Sequence, residues 1–156
     1  MHVAAIALGS NLDSQWGDRR ANLLEAIERL WRLGDVTSIS SFFDTEPVGY
    51  LDQPRFLNAA LLLQTELTPL ELLHGLLEIE HSMGRERVID KGPRVIDLDL
   101  LLYDDVILDA PELTLPHPSL HERRFVLEPL AEIAPQLAHP ILNKTVSELL
   151  VKLSSA

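Results

Sequence analysis

In Val95-Ile96-Asp97-Leu98-Asp99-Leu100-Leu101-Leu102, two carboxylates stand two positions apart in an otherwise apolar run. Strand side chains alternate between faces, so Asp97 and Asp99 are expected on one face, about two residues' rise (~7 Å) apart. Ile96, Leu98, Leu100 and Leu102 are expected on the other face, towards a core. Carboxylates this close repel each other and add nothing to packing, and a hard divalent cation relieves the repulsion. Just before the pair, Arg85, Arg87, Lys91 and Arg94 crowd one loop, and Arg123-Arg124 form a second cluster. Mg2+ and guanidinium groups together are what phosphoryl or pyrophosphoryl transfer requires, because its transition state spreads negative charge over phosphate oxygens. Arginine suits this better than lysine, since its planar fork binds oxygen pairs. Taken alone, the residues also admit blander readings. A sheet with one wet face tolerates alternating aspartates, and surface arginines pair with carboxylates.

Other groups have two readings as well. Phe56 and Asn58 share a strand face after a loop bearing proline and glycine, 45–58. Asn58 has the donor and acceptor to read a heterocycle's edge while Phe56 stacks on the ring, or the pair is a core aromatic beside a backbone-capping amide. Leu115-Pro116-His117-Pro118 pins a histidine in a stiff turn, structural or set on a phosphate. Arg123 and Phe125 follow; Phe125 belongs to the core unless a ring ligand lies against it. The chain has no Walker A motif, no G-x-G-x-x-G and no kinase signature, so a nucleotide would be held by side chains and metal. Without H-E-x-x-H or G-x-S-x-G, zinc hydrolysis and acyl transfer lack support.

These groups need a scaffold, and 156 residues with 46% apolar content provide one domain, 1–156, with a real core. The net charge of −11 argues against nucleic-acid binding. A positive patch on so acidic a chain fits a small, highly anionic ligand. No apolar run reaches the ~18 residues of a membrane span, and Met1-His2-Val3-Ala4 lacks a signal-peptide pattern. Cysteine is absent, which removes disulfides and thiolate chemistry. A cytoplasmic protein is expected.

Residues 3–8 read as a buried strand, and about 18–33 as an amphipathic helix capped by Asp18 and stopped at Gly34. Val36 to Thr45 reads as a second strand, Glu46 to Pro54 as a loop and Phe56 to Thr65 as a third strand. Thr68-Pro69-Leu70-Glu71 is a capping box opening a helix with an apolar stripe Leu70, Leu73, Leu77, whose next step lands on Glu80. Residues 84–94 form a charged loop and Val95 to Tyr103 a strand. Asp104-Asp105 is expected as a solvated hairpin turn before Val106-Ile107-Leu108. Short helices are expected over Phe125–Ile133 and Val146–Leu153. The order β-α-β-β-α-β predicts an α+β, ferredoxin-like αβα sandwich, with helices packed on a mostly antiparallel sheet.

Taken together, Ala7-Leu8-Gly9-Ser10-Asn11-Leu12, the 45–58 loop, Gly92-Pro93-Arg94-Val95-Ile96-Asp97-Leu98-Asp99, Leu115-Pro116-His117-Pro118 and His121-Glu122-Arg123-Arg124-Phe125 resemble the 6-hydroxymethyl-7,8-dihydropterin pyrophosphokinase family. The resemblance runs from Val3 to about Leu149, and the pattern G-P-R-x-x-D-L-D is highly specific to that family. It implies transfer of the β,γ-pyrophosphoryl group of ATP to the hydroxymethyl group of a dihydropterin, with release of AMP. It further implies two Mg2+ ions on Asp97 and Asp99, and Arg85 and Arg94 on the transferring phosphates. By the same resemblance Arg87, His117 and Arg123 contact ATP, and Glu80, Leu100 and Thr114 line its site. The pterin is stacked between Phe56 and Phe125 and read by Asn58 and the Thr45–Val48 backbone. A cytoplasmic monomer acting on small molecules is the expected form. The chain departs from the family pattern in a loop one residue shorter between Arg87 and Gly92, and in Lys91, Glu112, Pro118 and Leu77, so altered nucleotide affinity is expected. The alternatives are a catalytically silent nucleotide-binding module of the same fold and a D-x-D nucleotide-sugar transferase.

Overall fold

The computed structural model describes residues 1–49, 51–84 and 92–155. Arg85, Arg87 and Lys91 of the sequence reading lie outside the described residues. The chain runs β1 (His2–Ser10), α1 (Arg19–Leu30), β2 (Asp35–Ile39), β3 (Phe43–Thr45), β4 (Phe56–Thr65), α2 (Pro69–Ser82) and β5 (Asp97–Tyr103). It continues through β6 (Leu108–Asp109), β7 (Thr114–Leu115), α3 (Arg124–Ile133), β8 (Ala138–His139), β9 (Lys144–Thr145) and α4 (Val146–Ser154). The main sheet has the order β2-β4-β1-β5, with β3 on β4, and all its pairings are antiparallel. This is the ferredoxin-like arrangement expected from the element order.

Alternation along β1 sorts the core into two layers. Ala4, Ile6 and Leu8 face α1 and α2, where Leu23, Leu30, Leu72 and Leu76 close over them. Ala5 and Ala7 face α3 and α4, packed with Ala60, Leu127, Leu130 and Leu149. The result is helices on both sides of one sheet. Both predicted caps form. Asp18 accepts the Ala21 N–H at the start of α1, and Thr68 and Glu71 exchange bonds at the start of α2.

Several expectations need correction. The strand expected over Val36–Thr45 breaks into β2 and β3, which pair with separate stretches of β4 on either side of Ser40. Helix α1 stops at Leu30, and Gly34 is a glycine because an added Cβ would lie 2.2 Å from the Gln64 carbonyl oxygen. On α2 the buried face is Leu72, Leu76, Ile79 and Glu80, while Leu70 and Leu77 are exposed. Leucines surround that helix, so apolar spacing alone admits two phases. Leu102 does not continue the row of Leu98 and Leu100. Ile6 pairs with Leu100 and Ala5 with Leu102, so Leu101 is an extra residue that turns Leu102 to the α3–α4 side. Asp104, at φ 47°, accepts the Val3 N–H at 2.8 Å and pairs with His2 at 2.7 Å, so it ties two strand ends together and is not merely solvated. The segment after it pairs not with β5 but, through β6, with β7.

Candidate active site

Strand register builds the site. On the α3–α4 side, Phe43 pairs with Asn58, Asn58 with Gly9 and Gly9 with Asp97, so these four form one row across the sheet. The flanking pairs are Thr45 with Phe56 on one side, and Ala60–Ala7–Asp99 on the other. Adjacent strands lie ~4.8 Å apart, so the Asn58 and Asp97 backbones sit about 10 Å apart across Gly9. Helix α3 starts only at Arg124, and its N-terminal residues overhang this row without covering it. The open cleft that results is lined by Thr45, Glu46, Val48, Phe56 and Asn58 at one end and by Arg94, Asp97 and Asp99 at the other. Ala7, Leu8 and Gly9 form its floor, and Arg123, Phe125 and Val126 its far wall.

Gly9 leaves room for the Asn58 amide, since a Cβ there would stand 2.9 Å from Asn58 Oδ1. Asn58 is buried and its Nδ2 donates to the Thr45 hydroxyl, which fixes the amide at the sheet's rim. Phe56 and Phe125 are half-buried, leaving ring surface to the cleft.

At the acidic end, Arg94 Nη1 donates to Asp97 Oδ2 at 2.7 Å, with both side chains mostly shielded. Arg94 Nε is buried without a hydrogen-bond partner, unspent donor capacity beside two carboxylates. The arginine's backbone is fixed by Asn11. Asn11 Oδ1 accepts the Arg94 N–H at 2.8 Å, and the Asn11 N–H donates to the Arg94 carbonyl at 3.0 Å. Asn11 Nδ2 also donates to Gln53 Oε1 and the Pro54 carbonyl, each at 2.9 Å. One buried amide thus joins the end of β1, the 46–55 loop and the Gly92–Arg94 segment. In the sequence Asn11 and Gly9 stand out only as members of the motif Ala7–Leu12, with no role of their own, and the Glu46 side chain is assigned none.

His117 stands beside the cleft. Its backbone N–H donates to the Leu101 carbonyl at 2.9 Å and its ring Nδ1 accepts the Ser119 N–H at 3.1 Å. Burial, and then the charge of Arg123, lower its pKa, against the opposing pull of Asp97. A neutral ring with its proton on Nε2 follows. Arg123 lies over the Phe125 ring, 5.6 Å from its centroid.

Three predicted nucleotide contacts lie apart from this cleft. Glu80 is buried on α2, and its Oε2 accepts the Leu98 N–H at 2.7 Å. Leu100 is buried on the α1–α2 side, and Thr114 is exposed on β7. Because β5 is an edge strand, only its own thickness separates Leu98 and Leu100 from Asp97 and Asp99. Of the departing residues, the Glu112 carboxylate accepts from His74 Nε2 at 2.8 Å, and Leu77 is exposed on α2.

The cleft therefore joins an aromatic end with a fixed amide to an anionic pair with a guanidinium. Among the described residues no group of three or more metal-ligating side chains gathers. Two cleft-facing carboxylates still fit Mg2+, which commonly takes one or two carboxylates and completes its shell with water and substrate phosphates.

Comparison with known proteins agrees. A 2-amino-4-hydroxy-6-hydroxymethyldihydropteridine pyrophosphokinase of Bacillus subtilis is 45% identical over 138 residues, 87% of this chain and 80% of that protein. One of Haemophilus influenzae is 44% identical over 152 residues, 97% of this chain and 92% of its own length. The folic acid synthesis protein fol1 of Schizosaccharomyces pombe is 40% identical over 155 residues, but this chain spans only 21% of it. A crystal structure of Plasmodium falciparum HPPK-DHPS shares the fold, with a TM-score of 0.75 at 17% identity, covering 99% of this chain and 42% of that one. The model of the 7,8-dihydro-6-hydroxymethylpterin-pyrophosphokinase (HPPK) family matches residues 5–135, and with the full row of cleft residues inside that span this chain belongs to the ATP-dependent pyrophosphokinases of that family.

Proposed function

We propose that this chain moves the β,γ-pyrophosphoryl group of ATP onto the hydroxymethyl oxygen of 6-hydroxymethyl-7,8-dihydropterin, a step of folate synthesis. The observation that carries this is the row Asn58–Gly9–Asp97, which sets an amide-and-aromatic end one strand away from two carboxylates and Arg94. The pterin ring lies between Phe56 and Phe125, its edge read by Asn58 and by the backbone from Thr45 to Val48. Its hydroxymethyl group then points along the row towards Asp97 and Asp99. The hydroxyl oxygen attacks the β-phosphorus and its proton passes to water, while the bond from that phosphorus to the α,β-bridging oxygen breaks and AMP leaves with that oxygen.

Asp97 and Asp99 would hold two Mg2+ ions, which when bound would neutralise phosphate charge and align the reacting oxygens. Arg94 leaves Asp97 for the transferring phosphates, and Arg123 contacts the nucleotide from the far wall. Arg85 and Arg87 join them by the family resemblance. ATP lies along the β5 edge, which brings His117, Thr114, Leu100 and Glu80 within its reach from both sides of that strand. A neutral His117 donates from Nε2 to a phosphate without adding charge. Among the described residues one chain supplies both the aromatic and the acidic end of the cleft, which supports action as a monomer. Among the described residues no helix is long and apolar enough to cross a membrane, which supports a cytoplasmic site of action.

The test is the product. With ATP, Mg2+ and the pterin alcohol, the protein should release AMP and no ADP, and chelating the metal should stop it. ADP would mean an ordinary phosphoryl transfer, and ATP binding without turnover would mean a silent nucleotide-binding module.

A further inference from the structure

The wall that carries Thr45 and Phe56 is short of backbone pairing. Strand β3 has three residues, and Thr45–Phe56 is the last pair before the 46–55 loop leaves the sheet. Such an end frays unless something beyond the ladder holds it. Asp44 lies between Phe43 and Thr45, so alternation turns its side chain away from the cleft. There it meets two arginines. Arg55 Nε donates to Asp44 Oδ1 at 2.7 Å, and Arg19 Nη2 donates to Asp44 Oδ2 at 2.6 Å.

Further bonds close the arrangement. Arg55 Nη2 donates to the Asp44 carbonyl at 3.3 Å, and Arg55 Nη1 pairs with Glu46 at 3.3 Å. Arg19 Nη1 donates to the Arg55 carbonyl at 3.1 Å. Asp44 and Arg55 are the two legs of the loop where it leaves the sheet, and Arg55 directly precedes Phe56. Arg19 is the first residue of α1, a helix fixed by its buried face on the core. The loop's neck is therefore clasped on the back of the sheet and anchored to a rigid element.

We propose that Asp44, gripped by Arg19 and Arg55, is a positioning residue that holds Thr45 and Phe56 in register for the heterocyclic substrate. This rests on the assignment of that wall to the pterin. Asp44 touches neither the cleft nor the phosphates, so it acts through Thr45 and its bond to Asn58. Exposed ion pairs add little to global stability, so the clasp serves local order and not folding. The Arg19 guanidinium, and then that of Arg55, hold the Asp44 carboxyl at about 2, so the clasp stays charged through the working pH range.

The experiment is steady-state kinetics with both substrates, in Asp44→Asn, Asp44→Glu and Asn58→Ala beside the parent. Asp44→Asn should raise the pterin KM about five- to tenfold, leaving kcat and the ATP KM within about twofold. Asp44→Glu, which can still reach both arginines, should recover most of the loss. Salt should raise the parent's pterin KM and leave that of Asp44→Asn nearly flat, because only the parent has the clasp to screen. An unchanged pterin KM in Asp44→Asn overturns the proposal, as does a fall in kcat with a rise in both KM values. If Asn58→Ala binds pterin as tightly as the parent, the wall is not the pterin site, and both readings fall together.

Discussion

The two faces of the sheet use the same strands and end differently. On the α1–α2 side cover continues to the strand ends: Leu8 pairs with Leu98, Leu57 and Ile96 join the sealed layer, and Ser10, the last β1 residue on that face, is buried and accepts from Asn22 of α1. On the α3–α4 side the core stops one row sooner. Ala5, Ala60 and Leu102 are covered by helices, but the row of Ala60 and Ala7 already ends on Asp99, and the next row is Asn58, Gly9 and Asp97. A polar side chain, a bare α-carbon and a carboxylate replace what would be three apolar residues. The site is thus made by withholding cover from one face, while the other face supplies the rigidity that keeps the row in register.

That contrast is broken most sharply at the acidic end. Asp97→Asn or Asp99→Asn should cut AMP formation by about 10³-fold, the scale of losing charge stabilisation at a phosphoryl site. Both variants should still fold, with the thermal midpoint lowered more in Asp97→Asn, which takes the counter-charge from the shielded Arg94, than in Asp99→Asn. If turnover persists in both variants, the uncovered row is not the catalytic one.

The opposite behaviour is expected of the sealed face. Leu61 is fully buried against α1 and α2. Leu61→Ala should cost about 3 kcal/mol of stability, within the range for a leucine cavity, read by denaturant unfolding. Turnover per folded molecule should hold within about twofold. A large loss of turnover at full folding would show that the two faces are not separable.

How much of this the sequence carried depends on the distance over which each feature is encoded. Alternation placed Asp97 and Asp99 on one face, because that needs only neighbours in a strand. The caps at Asp18 and Thr68 were equally local. Leu102 went wrong because a bulge is set by register against β1, which its own sequence does not display. The α2 stripe went wrong because leucines circle that helix and only contact with β5 selects a phase. Glu80 was visible as a carboxylate out of pattern, but its task of accepting the Leu98 N–H comes from β5 being an edge strand. Asn11 was the largest omission. Its bonds to Arg94 join residues 83 positions apart, and no local pattern marks a strand-end asparagine as a junction. Resemblance to a family brought Phe56, Asn58 and Phe125 together where the residues alone allowed a bland core reading.

The smallest expected effect sits at the centre of the comparison, on Gly9. Its partners, Asn58 and Asp97, both project into the cleft, and Gly9 is the bare floor between them. Gly9→Ala leaves the backbone unstrained, since φ there lies outside the left-handed region, but its Cβ would meet Asn58 Oδ1 at 2.9 Å. The amide must then yield by a few tenths of an ångström, which disturbs its bond to Thr45 and its aim at the ring. Stability should fall little, because an amide at a rim can shift more easily than a packed core. Substrate recognition should fall more. The pterin KM is expected to rise about tenfold, a loss of about 1.4 kcal/mol, with kcat less affected because Asp97, Asp99 and Arg94 lie on the far side of the row. A fall in kcat without a change in KM would place the reacting group above Gly9 itself, and so move the boundary between recognition and chemistry one strand towards β4.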